Sequence, residues 1–402
     1  MKTLLINPNH RIPLGDIPAI EPPLWLSLMA SHFLEDGKEV EVLDAEAENL
    51  NHHQVIERVS KINPGMVIIV VMGNNPSVSS TPKMPEAELL QDVLGKYVHT
   101  FLTGLHPMAT ACEDVFYWQP TRCLPLHWEL LPMDKYRAHN WHCLDGSARS
   151  PYASIYTSLG CPFNCYYCNI HTLYKDRKMM LRDIDDIVQE VDRLVHRYNI
   201  RNVKIWDELF ALNQKRVIEI CKELEPYDLN IWAYARVDSV TKKMLEAMKR
   251  GGINWLAYGF ENASSEVRTR ADKHFSNNKV ERAIKMTEDA GINIMANFMF
   301  GLPGETLDTA RSTLNFAKQH LFDFVNFYVA LPYPGSEWYR DVKSNENWQD
   351  YDQYHLPVNP WSAFRQEAFV EYFLNPAYLD KIGRKFGSTK MINDMLGAGN
   401  GR

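Results

Sequence analysis

Three cysteines, Cys161, Cys165 and Cys168, stand in the loop SLGCPFNCYYCNIH at a CxxxCxxC spacing. Thiolates are soft ligands of the kind that iron–sulfur clusters and zinc select. Three on one short loop can hold three irons of a 4Fe–4S cluster, which leaves the fourth iron open to a substrate. The residues alone leave two other readings open. A zinc site needs a fourth ligand, and His171 is near enough in sequence to supply it, although zinc ligands usually come as close pairs separated by a long gap. The third reading is three structural thiols. The remaining cysteines, Cys112, Cys123, Cys143 and Cys221, are scattered, and an odd total of seven argues against a disulfide framework.

The loop needs a scaffold, and the flanking sequence predicts one. From Ala153 strand-like and helix-like stretches alternate. The strands are Ala153–Ser158, Asn202–Trp206, Asn230–Ala235, Trp255–Gly259, Asn293–Phe300 and Phe324–Ala330. The helices include Ile184–Tyr198, Asn278–Ala290 and Thr309–His320. Six such units are too few for a closed eightfold barrel and predict an open, partial (β/α)6 one. The first hundred residues alternate as well. Strands at Leu4–Ile6, Val40–Leu43, Met66–Met72 and His99–Thr103 interleave with helical spacing at 22–34, 51–61 and 85–96. That pattern predicts a doubly wound, Rossmann-like parallel sheet with its ligand side beyond the carboxyl ends of the strands. The α/β class therefore covers the chain in four parts. These are a unit at 1–111, a connector at 112–150 rich in Trp, Pro and His, the barrel at 151–336, and an aromatic-rich, helical region at 337–402.

Composition narrows the class. The chain has 402 residues, 45% apolar and 23% charged, the balance of a globular protein with a sizeable core. A formal net charge of −7 offers no general attraction to nucleic acid. No apolar run approaches the roughly 20 residues of a membrane span. The start, MKTLLINPNH, is too short in apolar residues for a signal peptide and reads as a first buried strand, so the expected location is the cytoplasm.

The loop CPFNCYYC, with aromatic Tyr167 before the last cysteine, resembles the signature of the radical S-adenosylmethionine superfamily. Further motifs follow in the family's order. WDELF (206–210) resembles its second-strand motif, which implies that Asp207 or Glu208 meets the methionine amino group of the cofactor. YARVD (234–238) implies Arg236 near the cofactor carboxylate or ribose, and YGFENAS (258–264) implies Glu261 in the cofactor pocket. NFMFGLPGET (297–306) implies Asn297 and Gly301 beside the adenine, LPYPGS (331–336) resembles the loop after the sixth strand, and Lys273 falls where such enzymes often carry a basic residue. Read as residues alone, Asp207 and Glu261 also suit exposed helix starts and Arg236 a surface ion pair. The resemblance implies a 4Fe–4S cluster, S-adenosylmethionine cleaved to a 5′-deoxyadenosyl radical, and an electron donor such as flavodoxin or ferredoxin.

Residues 1–110 resemble the cobalamin-binding domain fused to many radical enzymes, through EPPLWLSLMASHF (21–33), VEVLDAEAENL (40–50), VMGNNPSVSSTPKMP (71–85) and TGLHPMA (103–109). The resemblance implies that Gly73, Asn74, Asn75, Ser77, Gly104 and His106 face the corrin. It departs from the family in two ways: no DxHxxG motif supplies a lower histidine ligand, and the final strand of the domain is missing, replaced by WQPTRCLPLHWE. The expected activity is cobalamin-dependent radical methylation of an unactivated carbon in a small molecule, peptide or natural-product precursor. The alternatives are a radical cyclase, epimerase or rearrangement enzyme without methyl transfer, and a catalytically silent zinc-binding or partner-binding protein. A methylthiotransferase fits less well, because no cysteine precedes Cys112.

Overall fold

The computed structural model describes residues 1–10, 19–73, 83–110, 112–174, 176–342, 351–353, 356–390 and 392. Its strands are β1 (Thr3–Asn7), β2 (Val40–Asp44), β3 (Met66–Val70), β4 (Thr100–Thr103), β5 (Tyr152–Ile155), β6 (Ser158–Leu159), β7 (Met180–Leu181), β8 (Asn202–Ile205), β9 (Asn230–Ala235), β10 (Ile253–Glu261), β11 (Asn293–Phe300) and β12 (Phe324–Val329). The helices are α1 (Leu24–Glu35), α2 (His52–Ile62), α3 (Met84–Leu94), α4 (Leu105–Thr110), α5 (Ile184–Tyr198), α6 (Gln214–Leu224), α7 (Lys242–Arg250), α8 (Ser265–Arg270), α9 (Asn277–Asp289), α10 (Leu307–His320), α11 (Glu337–Val342), α12 (Pro360–Phe373) and α13 (Pro376–Phe386). Among the described residues no helix is long and apolar enough to cross a membrane.

The first sheet is parallel, in the order β2-β1-β3-β4. The middles of its strands are mostly apolar and buried, as strands covered on both faces must be. The expected loss of a final strand is nearly complete. Val115 makes one parallel bridge to Leu102, and residues 114 and 116 exchange backbone hydrogen bonds with it. The second sheet is the predicted partial barrel, six parallel strands in the order β12-β11-β10-β9-β8-β5. Two details differ from the sequence reading. The expected strand at 153–158 is split into β5 and β6, with β6 pairing antiparallel to β7 in a small hairpin that leads into the cysteine loop. β10 runs longer than expected, through an irregularity between Gly259 and Glu261.

Side chains alternate between the faces of a strand, so register fixes what fills the barrel. Cross-strand pairing aligns Lys204 with Trp232 and Trp232 with Trp255 near the amino end. Ala257 lies opposite Tyr234 one step higher, and Gly259 lies opposite Asn297 above that. The connector plugs the lower end. Trp141 sits 5.3 Å edge-on from Trp232, 5.2 Å from Trp255 and 5.9 Å, stacked, from Phe324 (ring centroids). Beside this plug Lys204 pairs with Glu21 from the first unit at 2.6 Å, both fully buried.

Candidate functional site

The carboxyl end of the barrel holds a cavity of about 1200 Å³ of empty space, its open mouth included. Its wall carries Cys161, Cys165 and Cys168, with Tyr167, Glu208, Arg236, Glu261, Lys273 and Asn297. Glu208 and Arg236 stand just beyond the ends of β8 and β9, and Gly259 and Asn297 lie in the carboxyl halves of β10 and β11. Functional residues in a barrel are expected at this end.

The cysteine loop is held from several sides. Gly160 enters it with φ +91°, and a Cβ there would stand 2.9 Å from the Lys178 carbonyl of the hairpin. Asn169 donates to the Pro334 carbonyl at 3.1 Å, Asn164 to Glu337 at 3.0 Å, and the Tyr166 hydroxyl to Asp341 at 2.8 Å. Gly335 belongs to the same clamp, since a Cβ there would collide with Thr172 at 2.3 Å. His171, the residue nearest in sequence as a fourth zinc ligand, turns its Nε2 onto the Phe163 carbonyl at 2.7 Å. The donor set offered to a metal is therefore three thiols of one loop beside a roomy cavity, which fits a cluster with one open iron and space for its substrate. Burial pushes the Cys161 thiol up to about 11 and Cys168 higher still, so without metal these thiols hold their protons.

Four side chains supply charge around the thiols. Glu208 accepts from the Gly160 N–H at 3.0 Å and the Tyr174 hydroxyl at 2.6 Å, and burial raises its carboxyl to about 7. Arg236 lies over the Phe163 ring at 3.8 Å, forks onto Asp238 at 3.0 and 3.1 Å, and approaches Cys165 Sγ at 3.9 Å. Glu261 accepts from Lys273 at 2.5 Å and from Tyr167 at 3.0 Å. Its φ of +61° is a conformation that costs a non-glycine residue roughly 1–3 kcal/mol and collects at functional sites. Gly259 makes room for the pair, because a Cβ there would meet Glu261 Oε1 at 2.3 Å and Lys273 Nζ at 2.7 Å.

Of the residues expected at S-adenosylmethionine, the structure brings Tyr167, Glu208, Arg236, Glu261 and Asn297 to the cavity. Asp207 and Gly301 are not in its wall. Asp207 takes the opposite face from Glu208 and caps the end of β5, accepting from the Thr157 N–H, the Thr157 hydroxyl and the Ser158 hydroxyl, each at 2.6 Å. Gly301 has φ +94°, lies against Trp361 of α12, and donates its N–H to Glu305 at 2.6 Å. Glu305 also holds the Leu302 N–H and binds Asn262, which ties the GLPGET turn to the YGFENAS turn. Buried Arg268 does the same on the other side. It donates to the carbonyls of Asn262, Ala263 and Phe275, and so frames Lys273. Motif reading passed over Arg268 and Glu305, because a buried stitch and an exposed charge look alike in sequence.

The residues expected at a corrin divide differently. Asn74, Asn75 and Ser77 lie outside the described residues. Gly73 lines a gap of about 350 Å³ between the first sheet and the barrel, with Asn7, Glu46, Met72, Lys83 and Trp206. The polar groups there are paired with one another: Lys83 donates to Asn7 at 3.0 Å and to Glu46 at 2.5 Å, and Asn7 donates to Asp44 at 2.7 Å. Gly104 is accounted for by packing, since a Cβ would meet the Val71 carbonyl at 2.5 Å. His106 is 1% exposed and lines neither space, and burial lowers its imidazole to about 3. Neither residue lines the gap beside Gly73.

Residues 155–317 match the family model described as the radical SAM superfamily. That stretch is a radical S-adenosylmethionine domain, a domain that belongs to enzymes. The chain is 27% identical to an uncharacterized methyltransferase of Pyrococcus horikoshii, over 95% of this chain and 94% of that protein. It is 22% identical to an anaerobic magnesium-protoporphyrin IX monomethyl ester cyclase of Rubrivivax gelatinosus, over 96% of this chain and 81% of the cyclase. Its fold is that of the radical S-adenosylmethionine methyltransferase TsrM of Kitasatospora setae, solved with cobalamin and a 4Fe–4S cluster. The two superpose with a TM-score of 0.64 at 16% identity, over 84% of this chain and 73% of that one.

Proposed function

We propose that the protein is a cobalamin-dependent radical S-adenosylmethionine methyltransferase acting on an unactivated carbon of a small molecule or peptide. The observation that carries the radical part is the convergence of Cys161, Cys165, Cys168, Glu208, Arg236 and the Glu261–Lys273 pair on one cavity. Methyl transfer is supported by the likeness to a methyltransferase-named relative along nearly the whole chain. When bound, the cluster and S-adenosylmethionine supply a 5′-deoxyadenosyl radical and the corrinoid supplies the methyl group.

The protein's share is placement and exclusion of water. The three thiolates hold the cluster. Among the described residues no cation pairs with Glu208, so its carboxylate takes the methionine ammonium by a charge-assisted hydrogen bond. Arg236 faces the carboxylate or ribose end. Glu261, already neutralised by Lys273, holds the Tyr167 ring beside the cluster and presents polar atoms to the nucleoside. Asn297 stands beside the adenine. The corrinoid would dock over the gap lined by Gly73, Asn7, Glu46 and Lys83, whose volume of about 350 Å³ takes only an edge of it. The chain then divides into a corrinoid unit at 1–111, a connector at 112–150 that plugs the barrel, the radical barrel at 151–336 and a closing region at 337–402. The reading places the protein in the cytoplasm, with flavodoxin or ferredoxin as electron donor.

Anaerobic reconstitution with iron, sulfide and hydroxocobalamin tests it. About four irons and about one cobalt per chain, with a methyl group passing from labelled S-adenosylmethionine to bound cobalamin, is the expected result. Four irons without cobalt would leave a radical enzyme that does not transfer methyl groups.

A further inference from the structure

Glu208 and Glu261 both line the radical cavity, and the chain treats their carboxylates in opposite ways. Glu261 is neutralised by Lys273. Glu208 is held by neutral donors, one on each oxygen: the Gly160 N–H reaches Oε2 at 3.0 Å and the Tyr174 hydroxyl reaches Oε1 at 2.6 Å. A carboxylate oxygen accepts at two lone-pair sites, so each keeps a site for a further donor. Donors on both oxygens also fix the plane of the group, whose last torsion is otherwise broad. Neutral donors stabilise the negative charge without cancelling it, which is what a carboxylate waiting for a cation needs.

The Gly160 N–H is backbone and comes with the cysteine loop, and among the described residues Tyr174 supplies the side-chain donor. Tyr174 is not in the cavity wall. Its ring packs edge-on, at 5.9 Å between centroids, against Trp25 of α1, which is 1% exposed and lines the gap beside Gly73. The first unit thereby braces the ring whose hydroxyl holds Glu208. We infer that Tyr174 is a positioning residue of the cofactor site, its hydroxyl fixing the Glu208 carboxylate for the methionine ammonium of S-adenosylmethionine without touching the ligand. The inference rests on the radical-enzyme reading of the cavity and deepens it by naming the residue that sets its preference for an ammonium.

Tyr174→Phe removes one hydroxyl and keeps the ring against Trp25. Native protein and variant, each full-length, cluster-loaded and unreduced, are equilibrated by dialysis with two ligands. One is S-adenosylmethionine, and the other is its deaminated analogue, which keeps the sulfonium, carboxylate and nucleoside. The variant is expected to retain its iron, to bind S-adenosylmethionine at least about fivefold more weakly, and to bind the analogue less than about twofold more weakly. In a Glu208→Gln background the same change is expected to cost S-adenosylmethionine less than about twofold, because the carboxylate it positions is gone. That second comparison does not depend on the affinity of the analogue. An equal loss for both ligands overturns the inference, as does undiminished binding of S-adenosylmethionine. So does the same loss in the Glu208→Gln background, or loss of iron from Tyr174→Phe. Native protein that loads its iron and yields no 5′-deoxyadenosine on reduction sinks the radical reading instead.

Discussion

Glu208 and Asp207 are adjacent acids that the chain uses in unrelated ways, because successive residues near a strand end face opposite sides. Asp207 is spent on Thr157 and Ser158, while Glu208 opens into the cavity with its carboxyl raised to about 7 by burial. The sign of its pH dependence follows. Cofactor binding needs the carboxylate, and the free protein holds this group protonated below about 7. S-Adenosylmethionine affinity should therefore fall as pH drops through 7, approaching tenfold per pH unit, and hold steady above about 8. Isothermal titration between pH 6 and 8.5 checks this, and Glu208→Gln should give a weaker and flatter profile. At the same scale, replacing any one of Cys161, Cys165 and Cys168 by Ala should reduce iron well below four per chain and abolish cofactor cleavage. A single variant with native iron content and cleavage would remove that residue from the ligand set.

Elements show where sequence pattern is informative and where it stops. α5, β9 and β11 have the limits their periodicity predicts, because each is long enough for a repeat of 3.6 or 2 to show. The β6–β7 hairpin has two residues per strand and the Val115 bridge has one, too few for any period, although the hairpin sets the entry to the cysteine loop. The length of β10 was equally hidden, since its irregularity breaks alternation just where Glu261 takes its positive φ. Gly259→Ala tests that element. Its Cβ must displace the Glu261–Lys273 pair, so cofactor affinity should fall at least tenfold while the circular dichroism spectrum stays native. The connector's role was also illegible, for its Trp141 lacks a periodic context and reads as loop. Trp141→Ala should cost about 3–5 kcal/mol of stability through the cavity it leaves among Trp232, Trp255 and Phe324, measured by denaturant unfolding.

In the whole molecule the two sheets share their cores. Leu5, Ile68 and Val70 of the first sheet join one continuous core with the barrel. Leu4, Ile6 and Val67, on the other face, pack with Tyr333 and Tyr351 from beyond β12. The radical cavity and the gap beside Gly73 are thus held by one rigid scaffold, as two cofactors acting on one substrate require. Glu21 and Lys204 mark the seam. Glu21→Gln removes the negative charge that faces buried Lys204 and should destabilise the fold by about 3–5 kcal/mol. Replacing both together, Glu21→Leu with Lys204→Met, should recover most of that loss, because an apolar pair of similar volume carries no desolvation cost.

The proposed cleavage of S-adenosylmethionine at the carboxyl end of the barrel depends on a cluster held by Cys161, Cys165 and Cys168. The most direct measurement takes the anaerobically reconstituted full chain, counts its iron, sulfide and zinc, and assays 5′-deoxyadenosine after adding S-adenosylmethionine and dithionite. About four irons and four sulfides per chain, with 5′-deoxyadenosine that disappears in Cys165→Ala, is the predicted result. One tightly held zinc and no 5′-deoxyadenosine would contradict it, and would return the three cysteines to a structural metal site.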